Sequence, residues 1–203
     1  SATETHNRAN VRMSVAESLK HIRGIVETAA AAEIAVKGSV VVAFGCPYEG
    51  DVSSERIFRV IRGYRELGIR DILLGDTTGM GNPAQVHRTV RAILEEFPEV
   101  ALTLHFHDTR GIGLANVLAG LEAGVLSYDA SIGGLGGCPY APGATGNIAT
   151  EDLVYMLEEM GVRTGVDLDA LLDCARFAAT LVDHDLPGHV LKAGKRTRPA
   201  PRP

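Results

Sequence analysis

The sequence predicts an alternating α/β fold built around parallel strands. Apolar runs bounded by turn residues recur at 38–44, 70–75, 101–107 and 127–132. Their spacing of about 30 residues is the length of one strand-helix unit in a parallel sheet. The runs are apolar on both faces and carry Val and Ile, as expected of strands covered by helices.

Taken in order, the helical stretches between them carry start signals. Residues 14–32 open on Ser14 with Glu17 three residues on, a capping box. Residues 53–67 open on Ser53 and Ser54 ahead of Glu55, and residues 83–97 on Asn82 before Pro83, a favoured first helical residue. Residues 113–123 complete the repeating part. After Ile132 come a glycine-rich loop, a helix over 150–160 and another over 166–183 begun at Asp167. The stretch GKRTRPAPRP reads as a disordered basic tail, and residues 1–6, SATETH, as a loop following a strand outside this chain. Four βα units are thus expected, where an eight-unit barrel takes about 250 residues. The expectation is a (β/α)8 TIM barrel of which residues 1–165 are the C-terminal half, with residues 166–203 as a helix and tail. A self-contained open sheet competes, and the position of the polar residues favours the barrel. Cys46, Asp76, His105 with His107, and the Cys138 loop all follow apolar runs, where a barrel collects its chemistry.

Composition narrows the class. With 203 residues, 45% of them hydrophobic, and a net charge of −5, the chain can bury a core and has no basic footprint for nucleic acid. No apolar run approaches the roughly 18 residues of a membrane span, and no signal-peptide pattern is present. Cys46, Cys138 and Cys174 make neither a CxxC pair nor an even disulfide set, which points to a bacterial cytoplasm or an organelle matrix rather than secretion.

Two segments carry the chemistry. In His105-Phe106-His107-Asp108-Thr109 the imidazoles lie two residues apart on a strand and share a face. Such a pair is either a divalent-metal site or two satisfied histidines at a strand end. Residues 131–152, SIGGLGGCPYAPGATGNIATED, crowd glycines around Cys138 in a loop suited to moving over a ligand, and this favours the metal reading. Cys138, between paired glycines and Pro139, is poorly placed for core packing. Cys46 follows an apolar run and is expected to pack. Asp76 can belong to the site or cap a turn, Asn147 alone reads as a turn residue, and Glu151 suits a helix start. His6, His21, His87, His184 and His189 are expected to face solvent.

The segments GLGGCPYAPGATGNIATEDLVYML, HFHDTRGIGLAN, GDTTG and GCPYEGDVS together resemble the 3-hydroxy-3-methylglutaryl-CoA lyases, within the metal-dependent lyase and Claisen-synthase TIM-barrel superfamily. His-x-His-Asp is common to that superfamily, whereas Gly-Leu-Gly-Gly-Cys-Pro-Tyr-Ala is a lyase signature. The resemblance implies that His105, His107 and Asn147 ligate Mg²⁺ or Mn²⁺, that Cys138 is catalytic on a mobile loop, and that Asp76 and Glu151 support the site. It also implies a CoA-thioester substrate and a homo-oligomer when complete, without nucleic acid or membrane partners. The family's Asp-Arg-Glu-type motif, which supplies a further ligand and an arginine, does not occur in these residues, so an N-terminal barrel half is an expected partner. Arg110 stands where relatives often carry an aromatic.

The residue types suit C–C cleavage of a β-hydroxy acyl thioester: a cation to hold charge, His105 to exchange the hydroxyl proton, Cys138 to protonate the enolate. Two alternatives stand beside it. One is an acyltransferase of the isopropylmalate or homocitrate synthase type, which needs no cysteine lid, and the other an inactive half-barrel.

Overall fold

A computed structural model of the chain describes residues 1–137 and 146–196. Its centre is a parallel sheet of β1 (Gly38–Val40), β2 (Asp71–Asp76), β3 (Ala101–Phe106) and β4 (Ser127–Asp129), ordered β1-β2-β3-β4. Sequential parallel neighbours require a crossover between each pair. These crossovers are α3 (Ser54–Glu66), α4 (Pro83–Glu96) and α5 (Gly113–Glu122). Helices α1 (Glu4–Val11) and α2 (Val15–Ala31) precede the sheet, and α6 (Thr150–Glu159), α7 (Leu168–Ala179) and α8 (His189–Ala193) follow it. None is long and apolar enough to cross a membrane, among the described residues.

The caps explain where several helices begin. Ser14 and Glu17 form the reciprocal box at α2, Asn82 accepts from Gln85 N–H at α4, and Asp167 accepts from Asp169 and Ala170 N–H at α7. Ser53 precedes α3 without a side-chain cap; that helix is held instead by its buried face of Ile57, Val60, Ile61 and Tyr64. Val40, Ile72, Leu74, Leu102, Leu104 and Phe106 form the sheet's contribution to the core. Each such side chain withdrawn from water is worth about 1.5–3 kcal/mol.

The other face departs from the expectation of strands apolar on both sides. Ser39, Thr103, His105, Ser127 and Asp129 lie on it by strand alternation. Lys37 Nζ donates to Thr103 Oγ1, which lies 3.0 Å from Ser127 Oγ, so a polar ladder crosses the sheet where a second covering layer would need Val or Leu. A face so constituted is suited to a polar interior.

Other expectations are also corrected. The first strand stops at Val40 rather than running to Phe44, because residues 41–44 turn, with Val42 at φ 52°. The fourth stops at Asp129 and gives way to a single 3-10 turn, Ile132–Gly134. Residues 1–6 are not a loop throughout: α1 begins at Glu4, and Ala2 N–H bonds to Val41 O. His6 is buried rather than solvent-facing. Within the expected tail, Lys195 pairs with Asp169 and Arg196 with Glu159; residues 197–203 lie outside the described part. Cys46 is buried in the core as expected, its Sγ 3.2 Å from Thr3 Oγ1.

Candidate active site

The site forms where β3 ends. His105 and His107 project from successive same-face positions, and their rings meet edge-on with centroids 5.2 Å apart. Between them Phe106 points into the core, fully buried, its ring 5.8 Å from that of Phe44. Alternation therefore gives one tripeptide two tasks, presenting imidazoles on one face and anchoring the strand on the other.

Asn147 reaches this strand end from far along the chain. Residues 146–148 return antiparallel to the end of β3: Asp108 N–H donates to Gly146 O, Ile148 N–H to Phe106 O, and His107 and Asn147 are bridge partners. A second short pairing, between Ser131 and Ala149, ties the same segment to the start of the glycine loop. Gly146 is obligatory in this fit, since a Cβ there would stand 1.7 Å from Gly134 O.

The Asn147 amide is oriented by its donors. Its Nδ2 donates to Ser131 Oγ at 3.0 Å and to Leu135 O at 2.8 Å. Its Oδ1 is buried with no hydrogen-bond partner. An unsatisfied buried amide oxygen normally costs 1–3 kcal/mol, so its persistence calls for an occupant. An amide oxygen and two imidazoles, brought to one strand end by the His107–Asn147 bridge, are donor types that Mg²⁺ or Mn²⁺ accepts. Among the described residues, no group of three or more His, Cys, Asp and Glu side chains is arranged to hold a metal.

One residue that sequence reasoning missed is Asp129. It is the register partner of His105 on β4, and its Oδ1 lies 2.5 Å from His105 Nδ1. The contact spans 24 positions and depends on strand register, so no local motif announces it.

The other candidates are dispersed around this centre. Asp76 ends β2, fully buried, and accepts from Met80 N–H at 2.9 Å and Gly81 N–H at 3.0 Å, closing the β2–α4 loop. Burial pushes its carboxyl up, against the pull of those two donors and of nearby Arg110 and His105. Arg110 donates to Thr78 O and Gly79 O, and so fastens that loop to the end of β3. Glu151 lies in the first turn of α6, fully buried, accepting from Gly133 N–H at 3.0 Å with its Oε1 unpartnered. It thus holds one root of the glycine loop. Cys138 lies outside the described residues.

Comparison with known proteins bears on the family and the fold. Residues 1–178 match the HMGL-like family. The chain is 46% identical over 195 residues to hydroxymethylglutaryl-CoA lyase YngG of Bacillus subtilis, covering 96% of this chain and 65% of that protein. It is 43% identical to the mitochondrial hydroxymethylglutaryl-CoA lyase of Homo sapiens, covering 95% of this chain and 59% of that one. A solved structure of an HMG-CoA lyase from Acenitobacter baumannii, in complex with coenzyme A and 3-methylmalate, superposes with a TM-score of 0.94 at 50% identity. That match covers all of this chain and 66% of the other, so the chain spans somewhat under two thirds of its relatives' length. The parallel α/β sheet accordingly corresponds to part of the TIM barrel of these lyases.

Proposed function

The chain belongs to the HMGL-like family, and from that premise we propose that it is part of a carbon-carbon lyase that cleaves 3-hydroxy-3-methylglutaryl-CoA to acetyl-CoA and acetoacetate. What supports this reading is the buried, unpartnered Oδ1 of Asn147, the bridge partner of His107, at the strand end that carries the His105–His107 pair, on a chain bearing the GLGGCPYA signature.

In this reading His105, His107 and Asn147 hold a Mg²⁺ or Mn²⁺ ion. When bound, the cation supplies positive charge to the substrate's hydroxyl and carboxylate oxygens and to the ketone that develops. His105 has one free lone pair, on Nε2, because its Nδ1 faces Asp129. It serves either as a ligand or as the acceptor of the tertiary hydroxyl proton, and in the cleavage step it takes that proton with the cation left to the other ligands. The C–C bond then breaks, its electron pair passing to the thioester as an enolate while the oxygen becomes the ketone of acetoacetate. Cys138, brought in by the glycine loop, donates the proton that turns the enolate into acetyl-CoA, and closure of the loop keeps water from that carbanion. Asp76 and Glu151 support the site by holding its flanking loops. The ligand that completes the set is proposed to come from outside these 203 residues.

The test is acetoacetate release from hydroxymethylglutaryl-CoA by the full-length protein with Mn²⁺ and a thiol reductant. Free CoA released from acetyl-CoA only when a 2-oxo acid is supplied, with no cleavage activity, would instead establish the acyltransferase reading.

A further inference from the structure

We infer that Asp129 is a positioning residue that holds His105 in the tautomer with the proton on Nδ1, leaving the lone pair on Nε2 for a cation or a reacting proton. The role of His105 in this inference rests on the lyase reading; its contact with Asp129 does not.

The geometry is fixed by the sheet. His105 on β3 and Asp129 on β4 are register partners in a parallel pair, so their side chains leave the same face at adjacent positions. The carboxylate oxygen lies 2.5 Å from Nδ1. An ionised carboxylate only accepts, so the nitrogen that meets it carries a hydrogen. Fixing that hydrogen fixes the other nitrogen as the acceptor, since neutral imidazole has one of each.

The contact also settles the ring's rotation. The terminal torsion of a histidine is broad and close to two-fold, so an unheld ring samples orientations that exchange nitrogen for carbon edges. A hydrogen bond at Nδ1 removes the flipped orientation. His107, edge-on to His105 at 5.2 Å, packs against the ring so held.

Stability does not account for the pair. The two side chains retain 26% and 46% of their exposure, and ion pairs this open to water contribute little to folding. What the contact determines is which nitrogen of His105 is free. Carboxylates and carbonyls behind ligating histidines commonly act this way, and their removal typically weakens metal affinity 10–100-fold.

The experiment uses the full-length protein as wild type, Asp129→Asn and Asp129→Ala. Tautomers are read by ¹⁵N-edited imidazole NMR in the absence of metal, with the His105 signals assigned by their loss in His105→Ala. Mn²⁺ affinity is read by titration calorimetry and folding by thermal denaturation. The expected result is an Nδ1–H tautomer in the wild type and a shift toward Nε2–H in Asp129→Ala. That variant should bind Mn²⁺ about 10–100-fold more weakly with little change in melting temperature. Asp129→Asn, which keeps an acceptor oxygen but loses the charge, should fall between. An unchanged His105 tautomer in Asp129→Ala, with Mn²⁺ affinity within about twofold of wild type, overturns the inference. A tautomer that depends on Asp129 in a protein releasing no acetoacetate supports the inference and sinks the substrate reading instead.

Discussion

Asn147 lies opposite His107 as an antiparallel bridge partner, with both amide hydrogens engaged and its amide oxygen buried and unpaired. The segment that ends the glycine loop is therefore the one that brings the proposed oxygen ligand to the end of β3.

Removing that oxygen should be felt by the cation. Asn147→Ala and His107→Ala are each expected to weaken Mn²⁺ binding at least tenfold by titration calorimetry, since each deletes a proposed ligand. Asn147→Ala also strands Leu135 O and Ser131 Oγ, which adds a destabilisation of about 1–3 kcal/mol. Equal Mn²⁺ affinity in His107→Ala and its parent would remove His107 from the ligand set.

Phe106 should behave oppositely to its neighbours. Its ring is fully buried against Phe44, so Phe106→Ala is expected to cost about 3–5 kcal/mol in denaturant unfolding. The protein that remains folded should keep its Mn²⁺ affinity within a few fold, because the ring lies on the face away from the imidazoles. A loss of affinity as large as that in His107→Ala would mean that strand alternation does not separate the two functions.

What could be read in advance depended on how far apart the interacting residues lie in the chain. His105 and His107 share a face by strand period alone, and the Ser14–Glu17 box and the Asn82 cap are three-residue patterns, so all were legible. Asp129 was not, because only sheet register joins it to His105. Val42 made the run 38–44 look like a longer strand: its side chain favours β structure, yet a turn holds it at positive φ. His6 gave no local sign of burial, which comes from packing that a helix-period reading of polar SATETHNRAN does not reveal. The polar ladder of Lys37, Thr103 and Ser127 was hidden for the same reason as Asp129, since its members come from different strands and the segment before β1.

Cys138→Ala should separate binding from turnover. In the proposed mechanism the thiol is a proton donor and not a ligand, so the variant is expected to bind Mn²⁺ as the parent does. Its turnover should fall by about 10²–10⁴-fold, the usual contribution of a positioned acid or base. Near-parental kcat on hydroxymethylglutaryl-CoA would refute the catalytic assignment.

Glu151 gives the protein a pH dependence that can be isolated. Burial raises its carboxyl pKa, opposed by the hydrogen bond from Gly133 and reinforced by the neighbouring Asp152 charge. In the unfolded chain the same carboxyl ionises near its ordinary value of about 4.3. Between that value and the raised folded one, the folded state binds more protons than the unfolded state, so stability falls as pH rises. The contribution is fully present below the unfolded value and is lost as pH climbs through the folded one. Glu151→Gln does not ionise and lacks this loss. Melting temperatures of wild type and Glu151→Gln, measured across roughly pH 4.5 to 8, should therefore converge or cross in favour of the glutamine variant toward the alkaline end. A difference between the two proteins that stays constant over that range would mean that the buried carboxyl holds Gly133 in one protonation state throughout, and the predicted coupling between pH and the root of the glycine loop would be lost.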